Sequence, residues 1–156
     1  MPKHPRWARR FLSKDDFDAI VQAVLAAEAE TSAEIRVHLE RRVHHERGQE
    51  RVDALQRARH VFAHLGMHRT AERHGVLLYL ALEDRKLAIV GDEGIHGRVG
   101  DDYWARVRNL MLEKLKGAAP REAIVAAVHE VGRVLREHFP RQPEKPHELS
   151  DQVSVE

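Results

Sequence analysis

The sequence predicts an α/β domain in which helices cover a mixed β-sheet. Three observations support this fold class. Segments with helical periodicity alternate with strand-like segments, a helical segment separates the first two strands, and a short link that favours a hairpin joins the second and third. The sheet is expected to have three to four strands, of which three can be placed, and about four helices flank it.

The first half of the chain predicts a helix, a strand and a second helix. Ser13 is followed by acidic residues, as at many helix starts, and apolar residues then recur at helical spacing to about Glu30. Residues 33–39 alternate between apolar and polar, which predicts a strand with one polar face. An apolar stripe over 52–65, including Leu55, predicts the second helix.

The second half begins with the predicted hairpin. The apolar run at 75–81 is typical of a strand buried on both faces. Residues 84–85 form a plausible tight turn, and 87–90 returns antiparallel. A glycine-punctuated loop is expected at 91–100.

Two more helices are predicted before the chain ends in a tail. One starts near Asp101, and the other has Pro120 in its first turn and ends at Pro140. The domain is therefore expected to span 1–140. The proline-rich, acidic segment 141–156 is expected to be a flexible tail with little structure of its own.

The composition excludes several functional classes. The 156 residues include no cysteine, which excludes disulfides, thiolate nucleophiles and cysteine-ligated metal sites. The 26 basic and 25 acidic residues nearly balance, so no overall field favours nucleic acid or membranes. Short basic clusters at 6–10 and 41–42 leave binding to an anionic polymer as a minor hypothesis. No segment resembles an export signal or a membrane span, and the cytoplasm is the expected location.

The segment from Gly91 to Asp102 is the strongest candidate for a site. It has an acidic pair at each end and a glycine at every third position. If the ends converge, the clustered carboxylates must raise their pKa values or bind a cation, and hard oxygen ligands in an adaptable loop suit Ca²⁺. Alternatively, the second pair simply caps the next helix. The expected metal ligands are Asp92, Glu93, Asp101 and Asp102, with a further oxygen from Glu34 and either Glu83 or Asp84.

Other local patterns are interpreted as structural. The tripeptide Arg73-His74-Gly75 occurs in histidine phosphatases after a strand, whereas here it precedes one. His60 and His64 have metal-ligand spacing but lie on the predicted solvent side of their helix. The chain has neither a P-loop nor a Gly-x-Ser-x-Gly elbow.

Taken together and in order, several segments resemble the TPM domain family, which includes thylakoid-lumen proteins linked to photosystem II repair and membrane-anchored bacterial proteins. The match spans roughly residues 13–140 and rests on the whole set, and the tail ELSDQVS at 148–154 is similar to that of small bacterial members. The segments are TSAEIRV at 31–37, ARHVFAHLGM at 58–67, GVLL at 75–78, DRK at 84–86 and IVGDEGI at 89–95.

The resemblance implies an α/β/α sandwich, Ca²⁺ near the 91–102 segment and a proposed acid phosphatase activity that not all members share. The leading hypothesis is a divalent-cation-binding module that recognises a protein partner, in protein quality control or a stress response. The alternative is a metal-assisted phosphatase for phosphomonoesters. In that case Asp92 or Asp101 would position water, and Arg98 and His96 are the nearby groups suited to hold a phosphate.

Overall fold

A four-stranded mixed sheet forms the middle layer of the protein. The computed structural model describes residues 4–44, 53–67, 74–117, 119–141 and 153–155. Within them the strand order is β3-β2-β1-β4, with β1 parallel to both β2 and β4 and β3 antiparallel to β2. The strands are β1 (Glu34–Glu40), β2 (Gly75–Ala81), β3 (Lys86–Gly91) and β4 (Ser154–Val155).

Helices cover both faces of this sheet. Apolar residues of α1, α3 and α4 pack with Ile35, Val37 and Leu39 on one face, whereas α2 packs with Leu77 and Tyr79 on the other. The predicted three-layer sandwich is therefore confirmed. No helix in the described ranges is both long and apolar enough to cross a bilayer. The helices are the 3₁₀ turn η1 (Ala8–Arg10), α1 (Lys14–Glu28), α2 (Ala54–His64), α3 (Glu93–Gly117) and α4 (Pro120–His138).

Reciprocal side-chain bonds fix where the first two α-helices begin. Ser13 accepts a hydrogen bond from the Asp16 backbone N–H, and the Asp16 carboxylate accepts one from the Ser13 backbone N–H. Asp53 and Gln56 form the same capping box at the start of α2. These bonds satisfy backbone donors that a helix leaves unpaired in its first turn.

The predicted loop at 91–100 is wrong, because residues 93–99 are helical. They form the first part of α3, which is interrupted at Gly100 by a non-helical backbone (φ 77°, ψ 170°). Each glycine disfavours a helix by about 1 kcal/mol relative to alanine, so the sequence has the local character of a loop. Burial of Ile95 against the main core offsets that preference.

Two other expectations from the sequence need correction. The predicted tail contains the fourth strand, since Ser154 pairs with His38 and Val155 with Leu39. Leu55, expected on the inner stripe of α2, is 41% exposed. Both errors have one cause: a short edge strand and a half-covered helix face are determined by distant neighbours rather than by local pattern. The stripe residue Val52 lies outside the described residues.

Packing of α1 on α4 requires a glycine at position 132. A Cβ there would lie 2.8 Å from the Ala27 Cβ, closer than packed carbons approach. We expect Gly132→Ala to lower the free energy of unfolding by about 1–3 kcal/mol through overpacking. The matched control is Gly97→Ala, whose Cβ would meet nothing within 4 Å and which should be stabilising by up to about 1 kcal/mol. Urea denaturation measures both, and equal effects would contradict this close contact.

Candidate functional site

One face of β1 carries four polar side chains in a row. Glu34, Arg36, His38 and Glu40 occupy every second position, so strand geometry places them on the same side of the sheet. A hydrogen bond from Arg57 of α2 to Glu40 identifies it as the α2 side. Glu34, His38 and Glu40 are at most 3% exposed. Buried ionisable groups need specific partners, and they are concentrated at functional sites.

At the carboxyl end of this row lies the Glu40 cluster, which consists of Glu40, Arg57, Tyr79 and His38. The Arg57 guanidinium donates to both carboxylate oxygens of Glu40, with Nε 3.0 and 3.2 Å away, and the Tyr79 hydroxyl donates to Oε1 at 2.5 Å. His38 Nε2 lies 3.6 Å from Glu40 Oε2. Burial alone would raise the pKa of Glu40, but hydrogen bonds from Arg57 and Tyr79, together with the nearby His38, hold that pKa well below its ordinary value.

The carboxyl-terminal strand is fastened to the middle of the same row. Ser154 Oγ lies 2.8 Å from His38 Nδ1, and Arg36 Nε donates to the same oxygen at 3.3 Å. Burial lowers the pKa of the Arg36 guanidinium. Ser154 therefore provides a hydrogen-bond partner for two of the four polar side chains on this face of β1.

At the amino end of the row lies the acidic edge, formed by Glu34, Gly75 and Asp92. Glu34 pairs with Gly75, and the Asp92 backbone N–H donates to the Gly75 carbonyl at 2.9 Å, so all three belong to one cross-strand line and share a face. Glu34 and Asp92 are thus two strand spacings apart, about 10 Å between Cα atoms. Gly75 has no side chain of its own, and Met67 packs over it.

The acidic edge fits a hard cation in two respects. Asp92 is 6% exposed; its Oδ1 accepts from the Glu93 backbone N–H, whereas its buried Oδ2 has no hydrogen-bond partner among the described residues. The Met67 carbonyl oxygen lies 3.4 Å from where a Cβ on Gly75 would be, which adds a third oxygen above the glycine. Carboxylate and carbonyl oxygens are the ligands that Ca²⁺ prefers.

The other predicted ligands do not join this edge. Glu93, Asp101 and Asp102 are exposed. Residues 93–99 form about 10 Å of helix, which separates Asp92 from Asp101 and Asp102. No group of three or more histidine, aspartate or glutamate side chains in the described parts of the chain could hold a metal ion. Glu83 forms ion pairs with Arg41 and Arg42 instead.

The acidic edge lies at the end of the sheet where the parallel strands β1 and β2 begin. Because β3 is antiparallel to β2, the segment after β3 emerges where β1 and β2 begin. The rule that ligands bind at the carboxyl ends of parallel strands therefore does not apply to Asp92. It applies to the Glu40 cluster, whose members the sequence did not single out. The only local signal was the polar alternation of β1, which continues to Glu40.

The remaining sequence motifs agree with their structural interpretation. His60 and His64 are exposed on α2, as predicted. His74 precedes β2 and packs against the Phe139 ring, with 4.0 Å between ring centroids. The adjoining Arg73 lies outside the described residues.

Comparisons with known proteins identify relatives of the whole domain. A model of the TPM domain matches residues 8–134. The BA42 protein from the psychrophilic bacterium Bizionia argentinensis is 36% identical, with a TM-score of 0.81 over 94% of this chain and 96% of that one. No curated protein matches the chain.

Two more distant solved structures share the fold. The amino-terminal domain of a P. gingivalis protein is 18% identical, with a TM-score of 0.65 over 88% of this chain and 82% of that one. The amino-terminal domain of the cg2496 protein from Corynebacterium glutamicum is 17% identical, with a TM-score of 0.60 over 86% of each chain. At this level of identity the similarity concerns the fold alone.

The Glu40 cluster leads to a prediction about stability and pH. Because the folded-state pKa of Glu40 is depressed, its contribution is complete above the ordinary value of 4.5 and is lost as the pH falls further. We expect Arg57→Met to lower the free energy of unfolding at pH 7 by about 3–5 kcal/mol, because it leaves a buried carboxylate without its cation. The variant should also lose much of the wild type's acid dependence below pH 4.5.

The control for this prediction is Arg133→Met, which removes exposed ion pairs to Glu130 and Glu137. Surface pairs contribute about 0–1 kcal/mol, so this variant should unfold at nearly the wild-type denaturant concentration. Denaturation curves from pH 3 to 7 compare the two variants. An Arg57→Met protein as stable as Arg133→Met would contradict a buried ion pair.

Proposed function

Because the chain belongs to the TPM domain family, we propose that it is a divalent-cation-binding module that recognises a protein partner. Glu34 and Asp92 are the carboxylates that would hold the ion, with Ca²⁺ as the preferred cation. The observation that carries this proposal is the buried Asp92 Oδ2, which lacks a hydrogen-bond partner among the described residues. A buried carboxylate oxygen in that condition is unfavourable unless a proton or a cation satisfies it.

The surroundings of Asp92 favour a cation with oxygen ligands. Glu34 supplies a second buried carboxylate on the same face, and the Met67 carbonyl oxygen lies over Gly75 between them. A bound ion would neutralise charge at the point where β1, β2 and the start of α3 meet. Its role would thus be to fix the beginning of α3, since Asp92 immediately precedes that helix.

Calcium titration of chelator-treated protein tests the cation site. Binding to the folded state alone stabilises it by about 2.7 kcal/mol at 100 times the dissociation constant, so the melting temperature should rise with calcium concentration. Asp92→Asn should weaken binding at least tenfold, because it removes one of two buried charges. Calorimetry gives the affinity of each variant.

The matched controls are Asp101→Asn and Asp102→Asn, the same substitution at exposed positions on α3. They should bind Ca²⁺ within about twofold of the wild type, since exposed charges at this distance are screened. If they weaken binding as much as Asp92→Asn, the ion is held by the acidic pairs around 92–102 and not by the acidic edge. The cation proposal is wrong if millimolar calcium produces neither heat of binding nor a rise in the melting temperature.

A second candidate function is metal-assisted hydrolysis of phosphomonoesters. It is favoured by the position of Arg98, an exposed cation whose guanidinium lies 5.5 Å from the centroid of the Phe139 ring. The same ring packs on His74, whose carbonyl accepts from the Glu34 backbone N–H. These contacts place Arg98 near the same end of the sheet as the acidic edge but on the face that Phe139 covers, where its guanidinium could hold a phosphate. The side chain of His96 lies outside the described residues.

Hydrolysis of an aryl phosphate in the presence of Ca²⁺ or Mg²⁺ tests this second function. If Asp92 or Asp101 positions the attacking water, the double change to asparagine should abolish turnover, and Arg98→Ala should raise KM by about tenfold or more. The Gly97→Ala protein is the control for purification and folding. Activity that survives the double change would come from a contaminant or another site.

A further inference from the structure

A cavity of about 780 Å³ follows the free edge of β3, between α2 and α3. We name it the β3 groove. It is lined by the whole of β3 from Lys86 to Gly91, by Ala54, Leu55 and Arg59 of α2, and by Trp104, Ala105 and Arg108 of α3. Since β3 is the outermost strand on this side of the sheet, the floor of the groove is a strand edge.

The backbone of β3 presents free hydrogen-bonding groups to this groove. The Asp92 N–H bonds to the Gly75 carbonyl, so in the antiparallel ladder Val90, Ala88 and Lys86 also face β2. Opposed residues alternate between bonded and non-bonded pairs in such a ladder. The N–H and C=O groups of the intervening residues therefore point outward, and these residues are Leu87, Ile89 and Gly91.

The width of the groove suits one extended chain. Helices α2 and α3 pack on opposite faces of the sheet, and each helix layer lies about 10 Å from it. Where α2 and α3 extend beyond the edge of β3, the gap between the two helices is therefore about as thick as one strand. A second folded copy would bring its own helices to its edge strand, and they would collide with α2 and α3. A single extended segment meets no such obstacle.

The charges of the groove indicate which segment it would accept. Its four basic residues, Arg59, Arg85, Lys86 and Arg108, are exposed, and none forms an ion pair in the described parts of the protein. Three acidic residues also line the groove: Asp53 is engaged as the cap of α2, and Glu93 and Asp101 lie on α3, so the basic side chains outnumber the acidic ones by one. The unpaired positive charge favours an acidic occupant.

The walls also offer apolar contacts. Leu55 is 41% exposed although its helix is amphipathic, and Trp104 closes the end of the groove beside Gly91. Alternate side chains of an added strand point to opposite faces, so one set would meet the α2 wall and the other the α3 wall. Each wall provides both an arginine and apolar surface.

We propose that the β3 groove binds an acidic, extended peptide segment of another protein, which adds to the sheet beside β3. Main-chain hydrogen bonds to Leu87, Ile89 and Gly91 supply affinity that is independent of sequence, as in other strand additions. The arginines of the two walls select acidic side chains. The inference rests on the proposed recognition of a protein partner and does not require the cation site.

Binding of defined peptides tests the proposal. The probe is a fluorescein-labelled peptide of about seven residues, a common strand length, that alternates valine and glutamate. We expect saturable binding by fluorescence anisotropy that weakens with salt, and no binding of the valine–lysine counterpart. N-methylation of either all valines or all glutamates blocks one edge of the peptide, so only one of these two peptides should retain binding.

Protein variants locate the binding surface. Charge reversal at both walls, Arg59→Glu with Arg108→Glu, should weaken the valine–glutamate peptide at least tenfold. The matched control is Arg106→Glu, an exposed arginine on α3 that does not line the groove. It should bind within about twofold of the wild type. Melting curves establish that all variants are folded.

Amide exchange supplies a readout of the backbone itself. On saturation with peptide, hydrogen exchange at Leu87, Ile89 and Gly91 should slow, while Lys86, Ala88 and Val90, already bonded to β2, should change little. Equal binding of the acidic and basic peptides, an unaffected Arg59/Arg108 variant, or unchanged exchange would overturn the groove proposal. If the protein binds the peptide but not calcium, the cation site alone is contradicted. If it binds calcium but not the peptide, the groove alone is contradicted.

Discussion

The carboxylate of Glu40 is enclosed by three elements, and the arrangement of the α2 side of the sheet depends on how its charge is satisfied. Helix α2 lies over β2 and β3, and its apolar residues meet neither β1 nor β4 in the core on that side. Arg57 reaches from α2 to Glu40 at the end of β1, and Tyr79 reaches the same carboxylate from β2. A one-residue slip of β1 would turn Glu40 to the apolar face, away from both partners. The buried ion pair therefore reinforces the register that burial of Ile35, Val37 and Leu39 imposes from the other face of β1.

The contrast between local contacts and contacts between distant residues explains which features the sequence predicted. Helix starts and the two central strands follow from local chemistry: Ser13 caps α1, and the apolar run at 75–81 forms β2. The Glu40 cluster could not be predicted in the same way, because Arg57 and Tyr79 are 17 and 39 residues from Glu40 along the chain. The polar alternation of β1 indicated an unusual face but carried no information about its partners.

For the same reason, only part of the candidate site was predicted from the sequence. Asp92 and Glu34 were both named from the sequence, and the structure places them on one line through Gly75. Asp101 and Asp102 were expected beside Asp92 because the glycines at 91–100 suggested a loop that folds back. Burial of Ile95 makes that segment helical instead, and a tertiary contact of this kind has no counterpart in local propensity. What remains of the acidic cluster is thus smaller and more buried than the pattern implied.

The two proposed binding surfaces meet at consecutive residues but face different directions. Gly91 directs its peptide groups outward to the β3 groove, whereas the Asp92 N–H points inward to Gly75. Strand alternation also places Trp104 against the position of a Gly91 Cβ, on the α3 side, while Asp92 belongs to the α2 side with Val90. A cation at Asp92 would therefore not occupy the groove. It would act on the groove through its neighbours Gly91 and Glu93, which line the groove, and through α3, whose residues Asp101, Trp104 and Arg108 form one wall. Coupling from the ion to that wall would cross the helical break at Gly100, where the backbone leaves its regular helical geometry.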